Sequence, residues 1–254
     1  MPTDKARTRP RFLDIDFDTA SYREVGDELS RLSQMDTFSF VVTPNVDHVL
    51  MLHPAAPVPA TLAFQQAYAA AELRLCDSRI LQRLARLHGV TLEVVTGSDL
   101  TAYLFENGRL DRRKVAIIGG DAAMVPELRE RFPAIEIVQH QPPMGVLGNE
   151  RASEEIIRFI EQERAHYVML AIGAPQSEII AHRCMLAGKA AGVGLCIGAS
   201  IEFLLDRKSR APKWMQDLGL EWAFRLLSEP RRLWRRYLAT GPRIFLLALR
   251  WRQL

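Results

Sequence analysis

A carboxylate just past the end of a strand can act as a general base on a hydroxyl, and the chain has such a candidate at Asp77, following Leu73-Arg74-Leu75-Cys76. The competing assignment is a helix cap, with Asp77 or Ser78 starting a helix over 79–88. Thr43 and Asn45 flank Pro44 at the end of another strand-like run, where they could hydrogen-bond a sugar or a ribose. Asn45 could equally cap the next helix. Asp14, Asp16 and Asp18 form two overlapping D-x-D triplets, a pattern that can hold a metal-bound nucleotide-sugar. Phe12, Leu13, Ile15 and Phe17 sit among them in near alternation, so the favoured reading is an edge strand, with Asp18 capping a helix over 22–32. The six histidines show no ligand spacing with cysteine or carboxylate, and no structural zinc is expected. Ser200 lacks the G-x-S-x-G setting of a hydrolase nucleophile.

The cations gather elsewhere. From Arg207 onward there are 12 Lys and Arg against 3 Asp and Glu, a net of +9, so residues 1–206 carry about −6 within an overall charge of +3. Arg225, Arg231, Arg232, Arg235 and Arg236 recur within a few helical turns, and all four tryptophans lie in the same region. A charge run is ordinarily a solvated face. Here acids are scarce and aromatics plentiful, which suits attachment to a polyanionic surface such as phosphate groups or an anionic bilayer. No reader motif accompanies the charge, so nucleic acid is not expected as a partner.

These residues need a frame to hold them. Strand-like runs at 38–43, 72–77, 114–118, 135–138, 167–172 and 194–197 alternate with helical patterns at 80–87, 123–132, 154–163 and 178–186. That alternation predicts an α/β fold: a Rossmann-like, mostly parallel sheet with helices on both faces. Ligands of such sheets bind beyond the carboxyl ends of the strands. The candidate loops are therefore Thr43-Pro44-Asn45, Asp77-Ser78, Gly119-Gly120-Asp121, Gly173-Ala174-Pro175-Gln176 and Gly198-Ala199-Ser200. Small residues there, Gly120 among them, let backbone N–H groups face an anion. None of the loops fits the dinucleotide or P-loop glycine pattern. Residues 213–253 read as wholly helical, broken by Pro230 and Pro242 into about three helices. The expected organisation is a catalytic core over 1–206 and a basic helical appendage over 207–254.

The 254 residues are 48% hydrophobic and 25% charged, enough to bury a core without staples. Cys76, Cys184 and Cys196 lie in apolar surroundings without C-x-x-C spacing, so buried reduced thiols in a reducing compartment are expected. The basic N-terminal segment is not followed by an apolar stretch, so no secretory signal is expected, and no run reaches the roughly 18–20 apolar residues of a membrane span.

Read in order, the strand ends and the tail resemble the WecG/TagA/CpsF family, glycosyltransferase family 26. The likeness runs from about Phe12 to Tyr237. It is carried by Arg210-Ala-Pro-Lys-Trp-Met-Gln-Asp-Leu-Gly-Leu-Glu-Trp-Ala-Phe-Arg225, continued by Glu229-Pro230 to Arg235, together with Thr43-Pro44-Asn45 and Val95-Thr96-Gly97-Ser98-Asp99-Leu100. The resemblance implies a Rossmann-like core whose C-terminal appendage closes over the active site at the inner face of the cell membrane. It implies inverting transfer from a UDP-sugar, of N-acetylmannosamine or hexose type, to a polyprenyl-diphosphate-linked saccharide, with no cofactor. It also implies that Asp77 is the catalytic base, that Thr43 and Asn45 belong to the pocket, and that Arg225, Arg232 and Arg235 hold the diphosphate.

This sequence departs from the family pattern at Ser78, where the family has glycine. Gln176-Ser177-Glu178 replaces Lys-Gln-Glu, which moves the pocket amide to Gln176. Glu202 stands in Gly198-Ala199-Ser200-Ile201-Glu202, where the family has Gly-Gly-Ser-Phe-Asp, and Gln141-Pro142-Pro143-Met144 replaces a Gly- and Tyr-rich turn. These changes bear on the donor sugar more than on the reaction class. Two rivals stand beside this reading: a nucleotide-dependent oxidoreductase, and a non-enzymatic membrane or nucleic-acid adaptor using the basic tail. The oligomeric state is left open.

Overall fold

The computed structural model describes residues 9–251. A short antiparallel hairpin, β1 (Arg11–Phe12) and β2 (Ile15–Asp16), leads into α1 (Tyr22–Leu32). There follow β3 (Phe38–Val42), α2 (Val46–Leu52), α3 (Pro59–Ala70), β4 (Leu73–Arg74), α4 (Arg79–Leu87), α5 (Gly97–Glu106), β5 (Lys114–Gly119), α6 (Met124–Arg131) and β6 (Glu136–His140). The core ends with α7 (Glu150–Glu163), β7 (Tyr167–Ala171), α8 (Gln176–Ala187), β8 (Gly192–Cys196) and α9 (Ser200–Leu204). Six strands form one sheet in the order β4-β3-β8-β7-β5-β6, with every pair parallel.

The apolar runs explain this sheet. Strands buried on both faces read as continuous hydrophobic stretches, and their alternate residues feed two separate cores. Phe40, Val42, Ala116, Ile118, Val168 and Leu170 pack on one face against α2, α3, α7 and α8. Val41, Val115, Ile117, Tyr167, Met169 and Leu195 pack on the other against α1, α5, α6 and α9. The expected fold class, a parallel α/β sheet covered by helices on both sides, is the one observed. Cys76, Cys184 and Cys196 are buried and unpaired within it.

The N-terminal aspartates are placed differently from the expectation of an edge strand and a capping Asp18. Leu13 and Asp14 both take left-handed conformations (φ 48° and 60°), which turns the segment into a tight hairpin. The cap of α1 is Ser21: its side chain accepts from the Glu24 N–H, and the Glu24 carboxylate accepts from the Ser21 N–H at 2.9 Å. Asp18 is 2% exposed and serves the sheet edge instead. It accepts from the Arg74 N–H at 3.0 Å and from Arg9 Nε at 2.9 Å. Hydrogen bonds to a buried charge contribute about 1.5–3 kcal/mol each. Asp18→Ala is therefore expected to cost about 2–3 kcal/mol of stability in urea titration, and an unchanged midpoint would contradict this pinning role.

The tail consists of α10 (Lys213–Asp217), α11 (Glu221–Ser228), α12 (Pro230–Trp234), a π-helical turn at Arg235–Thr240, and α13 (Arg243–Arg250). Pro230 opens α12 and Pro242 precedes α13, as expected. Gly219, at φ +68°, adds a further break that makes four helices rather than about three. The helical reading of Arg252 and Gln253, like the basic segment 1–8, lies outside the described residues. Several contacts tie the tail to the core. Arg210 pairs with Asp99 at 2.7 Å. Arg83 donates to the carbonyls of Asp217 and Leu218 at 2.9 and 2.8 Å. Ile244 and Ala248 of α13 are buried in the main core, and Trp251 packs edge-on against Phe12, with ring centroids 5.1 Å apart.

Candidate active site

The end of β4 meets the end of β3 through a hydrogen bond from the Asp77 N–H to the Pro44 carbonyl, at 2.9 Å. Ser78 takes the capping role for α4, its Oγ accepting from the Leu81 N–H at 3.2 Å. The Asp77 side chain is thereby left to face a cavity of about 470 Å³ between these strand ends and the tail. Burial raises the Asp77 pKa to about 7, and the carboxylates of Glu221 and Asp99 add to the shift. Arg225 and a hydrogen bond from the Gly97 backbone pull the other way. The result is a carboxylate that is substantially ionised at neutral pH and still basic enough to take a proton.

The wall beside Asp77 is built by the segment that starts α5. Thr96 caps that helix and donates its hydroxyl to Asp99 at 2.8 Å, and its N–H donates to the Tyr22 hydroxyl at 3.1 Å. Burial works against ionising Asp99, but hydrogen bonds from Arg210 and Thr96 outweigh it and hold the carboxyl below its usual value. The opposite wall comes from the tail. Arg225 lies 2.6 Å from Glu221, and its guanidinium sits over the Phe203 ring at 5.0 Å. Arg236 pairs with Asp47 at 3.2 Å. Tyr237 and Trp222 have ring centroids 6.2 Å apart, and Leu238, Ile244 and Phe245 add apolar side chains to the lining.

Of the residues singled out in the sequence, Asp77, Asn45 and Arg225 share this cavity. Asn45 also caps α2, its Oδ1 accepting from the N–H groups of Asp47 and His48 at 3.0 and 3.2 Å. Thr43 is buried and donates to the Cys196 carbonyl at 3.2 Å, joining the ends of β3 and β8. Gly120 and Gln176 follow β5 and β7, outside the cavity lining. At Gly120 the backbone is left-handed (φ +73°), a conformation that strains any residue with a Cβ. Gln176 donates to the Ile172 carbonyl at 3.1 Å, while its buried Oε1 has no partner in the protein. Glu202 forms an ion pair with Lys208. Arg232 pairs with Glu229, and Arg235 lies over the Trp234 ring at 5.4 Å; both are exposed and neither lines the cavity.

Sequence reasoning did not single out Asp99, Glu221, Tyr237 or the Arg236 wall position. The Val-Thr-Gly-Ser-Asp and Gly-Leu-Glu-Trp segments carried a signal for the first two, since each sits inside a quoted motif. Arg236 belongs to the recurring tail arginines, but nothing in the spacing set it apart from them as a cavity residue. Among the described residues, no group of three His, Cys, Asp or Glu side chains is arranged to hold a metal ion, and no helix is long and apolar enough to cross a membrane.

A recessed carboxylate with a pKa near neutrality, facing an arginine across a cavity, can deprotonate a hydroxyl while the cation steadies a departing anion. The family model described as "Glycosyl transferase WecG/TagA/CpsF family" matches residues 10–254, nearly the whole chain. The chain belongs to the WecG/TagA/CpsF family and is a glycosyltransferase.

Proposed function

We propose that this glycosyltransferase moves a sugar with inversion from a UDP-linked donor to a polyprenyl-diphosphate-linked saccharide, in the assembly of a cell-surface or exported polysaccharide. The observation that carries the reading is Asp77, its pKa raised to about 7, in the same cavity as Arg225. In this mechanism the acceptor hydroxyl oxygen attacks the anomeric carbon from the face opposite the nucleotide. Asp77 takes the hydroxyl proton, the bond from the anomeric carbon to the diphosphate breaks, and UDP leaves with the electron pair. Arg225 neutralises the charge that grows on the diphosphate, a task that other enzymes give to a metal ion. Thr43, Gly120, Gln176 and Glu202, which follow β3, β5, β7 and β8, form the donor side.

The same reading divides the chain into a catalytic core over 1–206 and an appendage over 207–254 that covers the site and rests on the inner face of the membrane. α13 supports the second part. Its Ile244 and Ala248 face the core, while Phe245, Leu246 and Leu249 are 55–79% exposed, so the helix is apolar on both sides. Arg232 and Arg235 lie on the outer surface near exposed Leu227, Trp234 and Leu238, the composition of a monotopic membrane surface. The test is a screen of UDP- and GDP-sugars for transfer to a polyprenyl-diphosphate-linked saccharide, with and without a chelator. Transfer from a UDP-sugar that survives the chelator is expected. Activity lost in chelator would overturn the metal-free mechanism, and transfer from GDP-sugars alone would overturn the donor assignment.

A further inference from the structure

Three polar side chains that the mechanism does not use lie buried together in the apolar core. His48 follows Asp47 in the first turn of α2, Tyr68 lies near the end of α3, and Glu178 lies in the first turn of α8. α3 packs against both α2 and α8, and the three side chains meet where these helices converge. His48 Nδ1 lies 2.6 Å from the Tyr68 hydroxyl and 3.8 Å from Glu178 Oε1. Phe64 packs edge-on against both the His48 and the Tyr68 rings. The helix that carries His48 also presents Asn45, at its cap, and Asp47 to the reacting cavity.

The protons of this group can be counted. Burial pushes the His48 pKa down to about 3, with Arg236 adding to the shift, so in either tautomer the ring is neutral. Burial pushes Glu178 up to about 7, partly offset by its own backbone N–H. Glu178 Oε2 is buried with no partner in the protein. The neighbouring groups give Glu178 no cation. Tyr68 and Cys196 of β8 are both held well above their usual values by burial and stay neutral. Asp77 acts on Tyr68 as a further negative charge, and Arg236, which acts on His48, is already paired with Asp47. One turn along α8, His182 lies by the Phe40 ring, and burial lowers its pKa. An ionised Glu178 is therefore a buried charge without a counterion, which is costly, whereas the protonated acid is not.

We propose that Glu178, His48 and Tyr68 are positioning residues: a buried clasp, closed while the Glu178 carboxyl carries a proton, that sets α2 and with it Asn45 and Asp47 against the cavity. The role of Asn45 in that sentence rests on the reading of the cavity given above; the clasp itself does not.

Hydrogen exchange of the α2 amides in the full chain tests the clasp, with Glu178→Gln fixing the side chain in a neutral form of the same size. The Glu178 pKa in the closed state lies above its ordinary value of 4.5, so the proton favours closure. That contribution is full below about 4.5 and is lost as pH rises through about 7. The ratio of wild-type to Glu178→Gln exchange rates in α2 should grow about tenfold or more between pH 5 and pH 8. Asp77 titrates in both proteins and cancels from this ratio. The same ratio for β7 should stay constant. A constant α2 ratio would overturn the proposal, and so would a ratio that grows equally in β7, which would mark a global stability effect. In the transfer assay, wild-type KM should rise over this range and Glu178→Gln should flatten it, while kcat keeps the acid limb set by Asp77. Superimposable KM profiles would overturn the positioning role. Exchange needs no substrate, so the clasp is decided even where Asp77 fails as the base. Should Glu178→Gln fail to fold, wild type alone decides: α2 exchange that does not gain on β7 between pH 5 and pH 8 would overturn the proposal.

Discussion

Asp77→Asn is expected to lower the rate of sugar transfer by about three orders of magnitude while UDP affinity stays within a few-fold, because asparagine keeps the shape of the side chain but cannot take the proton. Steady-state turnover and UDP titration on the same preparation check this, and near-wild-type turnover would remove Asp77 from the mechanism. The wild-type pH profile is the companion measurement. With a pKa of about 7, Asp77 is protonated and inactive as a base in acid, so the rate should rise with pH through about 7. Stability should move in the opposite sense. The folded pKa lies above the ordinary value of 3.8, so the folded state is favoured by the proton. That contribution is full below about 4 and is lost as pH rises through about 7. Asp77→Asn should therefore gain stability relative to wild type above pH 7, where the wild-type carboxylate is buried and charged.

Arg225→Gln is expected to cost on the order of 100-fold in kcat, the usual effect of removing one donor that stabilises transition-state charge. Its signature is electrostatic as well as kinetic. Arg225 lowers the Asp77 pKa and Glu221 raises it. Losing the arginine should move the acid limb of the rate profile to higher pH, and Glu221→Gln should move it to lower pH. A rate loss in Arg225→Gln without any shift of the limb would show that the guanidinium acts on the leaving group without reaching the base. A kcat equal to wild type would refute the assignment.

The central frame was legible because parallel strands buried on both faces leave unbroken apolar runs, as in Lys114–Gly119 and Tyr167–Ala171. The N-terminal hairpin was less so. Ser21 and Glu24 carry a readable capping box, but Asp18 competes for the same role in one dimension. Only the folded chain shows that its carboxylate is taken by Arg74. The same ambiguity covered Asp77 and Ser78, either of which could cap α4; the hydrogen bond from Leu81 to Ser78 resolves it, leaving Asp77 free of the capping role. The arginines of the tail resisted for another reason. Arg232 and Arg235 lie on the exposed side of the tail, and only the folded chain shows that they stay outside the cavity lining. Arg236, at the start of the π-helical turn, lines the cavity, a placement that periodicity does not encode.

The anchoring of the tail has a mechanical consequence. Its first residues are held by Arg210 on Asp99 and by Arg83 on the end of α10, and its last by α13 and Trp251 set into the core beside Phe12. A segment fixed at both ends cannot swing aside like a hinged flap. The cavity roof, α11 to the π-helical turn, spans the gap between these two fixed ends and is pinned again along its length by Arg225 over Phe203 and Arg236 on Asp47. Under the proposed function, the clearance beneath that span limits how bulky an acceptor can be and still reach Asp77.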